Sequence, residues 1–265
     1  MSQNLAVIGC GKMAYAIMKG LDRKAYATVY CHDINPARSA LFETEFAATA
    51  CSLCETIDAA EVIILAVKPQ QLQQVMQTSQ GRWNQEKLLI SVLAGVKTET
   101  LENTTGRKTA VVRVMPNTPC LVGQGISALC AGKLATPVQL ETARDIFAQL
   151  GAAVTVDEKL MDAVTAVSGS GPAYAFLTVE AMINAAVNVG LDAALARELV
   201  IETFKGSLAM LEAENLHPAI LREQVCSPGG TTIAGVRQLE GNGLRKAFFD
   251  AIEKAYQRSI ELGKQ

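Results

Sequence analysis

Between Asn4 and Glu158 the chain alternates short apolar runs with amphipathic ones. "NLAVIG", "EVIILAV", "KLLISVLAG" and "TAVVRVM" are nearly unbroken runs rich in Val, Ile and Leu. Such runs predict strands covered on both faces, as in a parallel sheet flanked by helices. "ATVYCHD" reads as a further strand of the set. Helical spacings lie between them: Met13, Ile17 and Leu21 share one face. "PARSALFETEF" opens with Pro36 in a first turn, where its missing N–H does no harm. "TPVQLETARDIFAQLG" carries Thr136 as N-cap, Pro137 at the first helical position and Gly151 as terminator. The order predicts an α/β domain over residues 1–158, with a Rossmann-like doubly wound sheet.

After "AAVTVDE" the β signals stop, and residues 159–265 carry helical patterns only. Val200, Phe204, Leu208 and Leu211 form one apolar stripe; Leu244, Phe248, Ile252 and Tyr256 form another. An all-α second domain is expected there. Its stretch from Ala173 to Val189 is apolar on nearly every side, relieved only by Glu180, Asn184 and Asn188. A helix apolar all round must be buried, and about a hundred residues of helix offer little to bury it in. A second copy of the chain is therefore the expected cover, making this the dimerisation domain of a homodimer.

Composition narrows the partners. The formal net charge of −2 provides no basic field, so nucleic acid is not an expected partner. Seven cysteines, an odd and scattered set, read as reduced thiols of a cytoplasmic protein. Cys51 and Cys54 form a C-x-x-C, but no second pair follows and His32 and His217 lie far off, so no metal site is expected. "MSQNLAVIG" shows no basic segment of a signal peptide. The longest uncharged run, Ala163 to Val179, is interrupted by Gly169, Gly171 and Pro172. It falls short of the about 20 apolar residues of a membrane span, and no membrane association is expected.

"GCGKMA", Gly9 to Ala14, lies between the first strand and the first helix. In that setting a G-x-G-x-x-A is a dinucleotide fingerprint. Gly9 permits the tight turn, Gly11 lets the backbone of Cys10, Gly11, Lys12 and Met13 approach a pyrophosphate, and Ala14 allows close helix packing. Asp33 ends the second strand, where a carboxylate accepts hydrogen bonds from the adenosine ribose and favours NAD; an Asx turn before "NPAR" is the competing reading. Arg38, one helical turn on, is placed to pair with a 2′-phosphate, so NADH and NADPH both stay open. Three loops follow apolar strands at their carboxyl ends and are expected to line the crevice. They are Ala66-Val67-Lys68-Pro69, Leu93-Ala94-Gly95 and Met115-Pro116-Asn117-Thr118-Pro119.

Two breaks interrupt the helical half: "SGSGPAY" (Ser168 to Tyr174) and "CSPGGTTIAG" (Cys226 to Gly235). The second joins glycines to hydroxyls and leads into a helical pattern. A glycine-rich turn that opens a helix offers free backbone N–H groups and a positive dipole end to a small anion. Ser227, Thr231 and Thr232 add donors; a plain inter-helix turn capped by Thr231 is the bland alternative.

The set "GCGKMA", "AVKP", "VMPNTP", "SGSGPAY", "TFKG" (Thr203 to Gly206) and "SPGGTT" resembles pyrroline-5-carboxylate reductase, in family order across nearly the whole chain. The resemblance implies a dinucleotide-binding domain followed by an interlocking helical dimerisation domain, assembled in some relatives into rings of dimers. It implies reduction of 1-pyrroline-5-carboxylate to L-proline with NADPH or NADH, the last step of proline biosynthesis. It also implies that the loop of Ser227, Gly229, Gly230, Thr231 and Thr232 binds the substrate carboxylate. The Thr232 hydroxyl then faces the ring nitrogen, with Thr232 or a water as proton donor. Relatives that prefer NADP often carry Asn or Ser and then Arg where this chain has Asp33-Ile34, and often Ala where it has Thr231.

Two other functions compete with this one. β-Hydroxyacid dehydrogenases share the two-domain plan and resemble one another in a lysine four residues past the last glycine of a similar helix opening. That position here is Ala175, which cannot serve as a base. A dinucleotide-binding sensor without turnover has no need of a second anion loop.

Overall fold

The computed structural model describes residues 3–263. The dinucleotide-type half is built on eight strands: β1 (Leu5–Ile8), β2 (Val29–His32), β3 (Thr49–Ala50), β4 (Val62–Leu65), β5 (Leu88–Ser91), β6 (Ala110–Met115), β7 (Gly125–Ala131) and β8 (Gly151–Thr155). They form one sheet in the order β3-β2-β1-β4-β5-β6-β7-β8. Helices α1 (Lys12–Gly20), α2 (Pro36–Phe46), α3 (Leu53–Asp58), α4 (Leu72–Thr78), α5 (Thr98–Thr104) and α6 (Pro137–Ala148) join the strands.

The unbroken apolar runs are explained by two cores, one on each face of the sheet. Leu5, Val7, Val62, Ile64, Leu88 and Ile90 point to the face covered by α1, α2 and α6, against Ile17, Phe42 and Phe147. Ala6, Ile8, Ile63, Leu65 and Leu89 alternate to the other face, against Ile57 of α3, Met76 of α4 and Leu101 of α5. The sheet is parallel from β3 to β6, as the runs predict. It departs from that pattern at β7, which pairs antiparallel with β6. The segment between them is too short to carry the crossover that a parallel return requires. The two-residue β3 and the short helices α3 to α5 also lie outside the sequence reading.

The helical half continues with α7 (Met161–Val164), a π-helical turn over Thr165–Gly169, and then α8 (Gly171–Asn188), α9 (Ala193–Glu214), α10 (Pro218–Gln224), α11 (Thr231–Gly241) and α12 (Leu244–Leu262). The chain divides into two compact units, residues 1–172 with 255–265 and residues 173–254. The sheet-bearing unit thus reaches beyond the 1–158 segment expected from the end of the β signals. It takes in α7, the π-turn and the last turns of α12, because these pack on the sheet side.

Lys87 shows how tightly the sheet unit is closed. Its ammonium is buried and donates to the carbonyls of Ile57 (2.6 Å), in the last turn of α3, and Ala60 (2.9 Å), just past its end. Burial pushes its pKa down. Lys87→Met keeps the stem and removes the donor, leaving two buried carbonyls without it. The expected loss is about 1–3 kcal/mol, read as a lower urea midpoint at fixed protein concentration. An unchanged midpoint would show that water replaces the ammonium at no cost.

Candidate active site

β1 ends at Ile8 and the chain turns at Gly9, whose φ is +91°. A Cβ there would stand 2.8 Å from the Ala66 carbonyl carbon and 2.9 Å from a Val67 methyl carbon, so the turn requires glycine. Gly11 is the N-cap of α1 and no side chain caps that helix. A Cβ on Gly11 would meet nothing within 4 Å, which leaves open space above the free N–H groups of the first turn. A pyrophosphate fits that space: bare backbone donors, a helix dipole and a glycine that keeps the approach clear.

Around this loop lies a cleft of about 850 Å³. It brings together Gly9, Gly11, Lys12, Met13, Asp33, Arg38, Ala66, Val67 and Lys68 of the expected site. It is also lined by residues the sequence did not assign to it: His32, Leu53, Cys54, Gln71, Gln74, Val75 and Thr78. The strands at its floor were legible; the walls from α3 and α4 were not, because those helices are too short for a periodic signal.

Cys10 and Ala14 turn away from the cleft into the core. Cys10 gives its N–H to Asp33 Oδ2 at 2.7 Å, and its thiol pKa is raised by a hydrogen bond with Cys31 and by burial. Of the glycine-loop donors, Cys10 is therefore spoken for by the protein itself. Asp33 is also fixed locally: Oδ1 accepts from the Asn35 N–H at 2.8 Å, which is the Asx turn of the competing reading. Its side chain is 6% exposed, and the half-exposed Arg38 guanidinium stands 3.8 Å from Oδ2. Both still border the cleft.

Pro69, Ala94, Gly95, Met115, Pro116 and Asn117 do not line this cleft. Gly95, at φ +77°, packs against the end of α12, where a Cβ would lie 3.0 Å from the Gly263 nitrogen. Asn117 Oδ1 accepts the Ile126 N–H at 3.0 Å and so fastens the start of β7. Met115 leads into this loop from the end of β6.

In the helical unit the Ser227-to-Thr232 loop joins α10 to α11. Gly229 takes φ +70°, and the Gly230 N–H returns to the Ser227 carbonyl at 3.0 Å. The N-cap of α11 is Gly230, with no side-chain cap, so the turn capped by Thr231 is not what forms. Thr231 and Thr232 are the first two helical residues and both are exposed. The helix therefore opens with its first N–H groups free of side-chain partners and three hydroxyls beside them. Among the described residues no cluster of His, Cys, Asp and Glu is arranged to hold a metal ion. No described helix is long and apolar enough to cross a membrane.

Comparison with known proteins bears on both halves. A family model described as pyrroline-5-carboxylate reductase dimerisation matches residues 158–262. Another, described as NADP oxidoreductase coenzyme F420-dependent, matches residues 4–95. The pyrroline-5-carboxylate reductase of Synechocystis sp. is 42% identical, over 100% of both chains. That of Methanosarcina acetivorans is 40% identical, over 100% of this chain and 99% of the other. The crystal structure of Plasmodium falciparum pyrroline carboxylate reductase with NADP bound superposes with a TM-score of 0.90 at 31% identity, covering 98% of each chain. With identity of this level along the full length, and the same fold from end to end, the chain belongs to the pyrroline-5-carboxylate reductase family.

Proposed function

We propose that this chain reduces 1-pyrroline-5-carboxylate to L-proline, with the dinucleotide cleft and the glycine-hydroxyl loop as its two binding elements. The observation that carries this reading is the uncapped opening of α11 in a chain that already has a phosphate loop. One anion site serves the cofactor pyrophosphate; the other suits a small carboxylate. A reduced nicotinamide supplies the hydride.

The chain's own residues do the positioning. Gly11, Lys12 and Met13 hold the pyrophosphate by backbone N–H groups, and Lys12 and Lys68 line the same cleft. Ala66 and Val67 close over Gly9. His32, Leu53, Cys54, Val75 and Thr78 receive the adenine end. Met115, Pro116 and Asn117 form a wall for the nicotinamide. Gly229, Gly230, Ser227 and Thr231 hold the substrate carboxylate. Thr232 orients the proton on the imine nitrogen, which makes the ring carbon a better electrophile. The site thus needs neither a strong base nor a nucleophile.

The assembly we propose is a homodimer joined through the helical unit. Its support is the match to a dimerisation model and the number of apolar side chains left uncovered in one chain: Phe176, Leu177, Val189, Leu208 and Phe249 are each more than half exposed. Seven free cysteines support a reducing, cytoplasmic location.

Thr232→Val keeps the volume and removes the hydroxyl. A hydrogen bond to a charged group contributes roughly 1.5–3 kcal/mol, so kcat should fall about ten- to a hundredfold. Dinucleotide affinity, measured by fluorescence titration, should not move. Wild-type turnover in this variant would hand the proton to water.

Asp33 and Arg38 are expected to set the balance between cofactors. Asp33→Asn removes one negative charge near the ribose, raising the NADPH/NADH ratio of kcat/KM about tenfold. Loss of its bond to Cys10 would weaken both cofactors alike, so the ratio is the readout. Steady-state kinetics with both cofactors side by side decide it; an unchanged ratio leaves Asp33 as a brace of the turn and nothing more.

A further inference from the structure

Arg113 sits in the apolar run of β6, and its side chain is only 3% exposed. A buried guanidinium must be paired, since it cannot shed its proton. Glu158 Oε1 stands 3.4 Å from it and Asp162 Oδ1 3.9 Å. Each carboxylate is held in turn. Glu158 accepts the Thr98 N–H and hydroxyl, both at 2.7 Å, and so serves as the cap that Lys97, at the N-cap position of α5, does not provide. Asp162 accepts the Ser259 hydroxyl of α12 at 2.7 Å, and Ser259 is itself buried. One cation thus gathers β6, α5, the segment 158–162 and α12.

Two residues further along the same strand, and hence on the same face, stands Met115. It meets the continuation of the segment that Arg113 holds. From Asp162 the chain runs through α7 into the π-turn, which the Ser170 N–H closes on the Thr165 carbonyl at 2.9 Å. At the end of that turn a Cβ on Gly169 would lie 2.5 Å from the Met115 terminal methyl carbon. The segment 158–169 therefore touches β6 at two points: through charge at Arg113, and through packing at Met115. π-Turns of this kind are held only where the surroundings fix them, and they recur at functional sites. The buried Cys130, register partner of Arg113, has its thiol pushed up to about 12 by burial and remains uncharged beside the ion pairs.

We propose that Arg113 is a positioning residue for hydride transfer. By fixing Glu158 and Asp162 it seats the π-turn on Met115, and so holds the Met115-Pro116-Asn117 wall at the distance the nicotinamide requires. This rests on the reading above that these three residues face the nicotinamide. Displacement of that wall by a fraction of an ångström acts on the chemical step, while pyrophosphate and adenine contacts are untouched.

Arg113→Lys keeps the charge and loses the fork that reaches two carboxylates. We expect kcat to fall about tenfold, dinucleotide affinity to stay within about twofold, and the deuterium isotope effect from 4-deuterated cofactor to rise as the hydride step becomes limiting. Gly169→Ala pushes only the flexible end of Met115 and should produce the same signature. Combined with Arg113→Lys it should add little, because both act through one contact. Ser259→Ala frees Asp162 without removing a charge and carries the test if Arg113→Lys does not fold. Wild-type kcat in the folded variant, or losses that multiply in full in the double variant, would overturn the proposal. Met115→Ala separates the two readings. If it alone leaves kcat and the isotope effect unchanged, the wall was misassigned; if it impairs both while Arg113→Lys does not, only the role of Arg113 fails.

Discussion

The structure depends on apolar surface that one chain cannot hide. In α8 no residue is buried, although Phe176, Leu177, Met182 and Val187 all belong to it. α10 and α11 are likewise without a buried residue, and α9 buries only Ala196 and Val200. Covering each large apolar side chain is worth about 1.5–3 kcal/mol, so a handful of them outweighs the whole stability of a typical domain. The helical unit, which matches a dimerisation model over residues 158–262, leaves that surface open in a single chain. The loop from Ser227 to Thr232 is mounted on these helices, between α10 and α11.

The sheet unit obeys the opposite rule. It closes its own two cores, buries Lys87 against backbone carbonyls, and braces its glycine loop from within through Asp33 and Cys10. The free N–H groups at the start of α1, the turn at Gly9 and the crevice walls are all formed in a single chain. One half buries its own core, and the other leaves large apolar side chains uncovered.

Much of this was legible because strong signals coincided. The apolar strands, the glycine turn and the two helix breaks are each marked by residue types with one physical use. β7 was missed because "GISALCA" mixes small and apolar residues without alternation, and its direction depends on the short link after Asn117. Helices α3 to α5 span too few residues for a 3.6 period to show, so the cleft wall that α3 and α4 provide had no herald. Asp33 was read two ways, and the structure forms the local turn while leaving the residue at the cleft. The Arg113 group could not be read at all: Thr98, Glu158, Asp162 and Ser259 are scattered along the chain and meet only after folding. The signal available was a single charge inside an apolar strand, which demands partners without naming them.

Sedimentation coupled to activity decides whether the active species holds more than one chain. Wild-type protein is sedimented at micromolar concentration and then under serial dilution, with pyrroline-carboxylate-dependent oxidation of NADH or NADPH followed on the same samples. No active species is expected at the single-chain mass of 28.2 kDa; a dimer, or a multiple of dimers, should carry the activity and lose it on dissociation. A single species of that mass with full specific activity would contradict it, showing that the apolar helices find their cover within one chain.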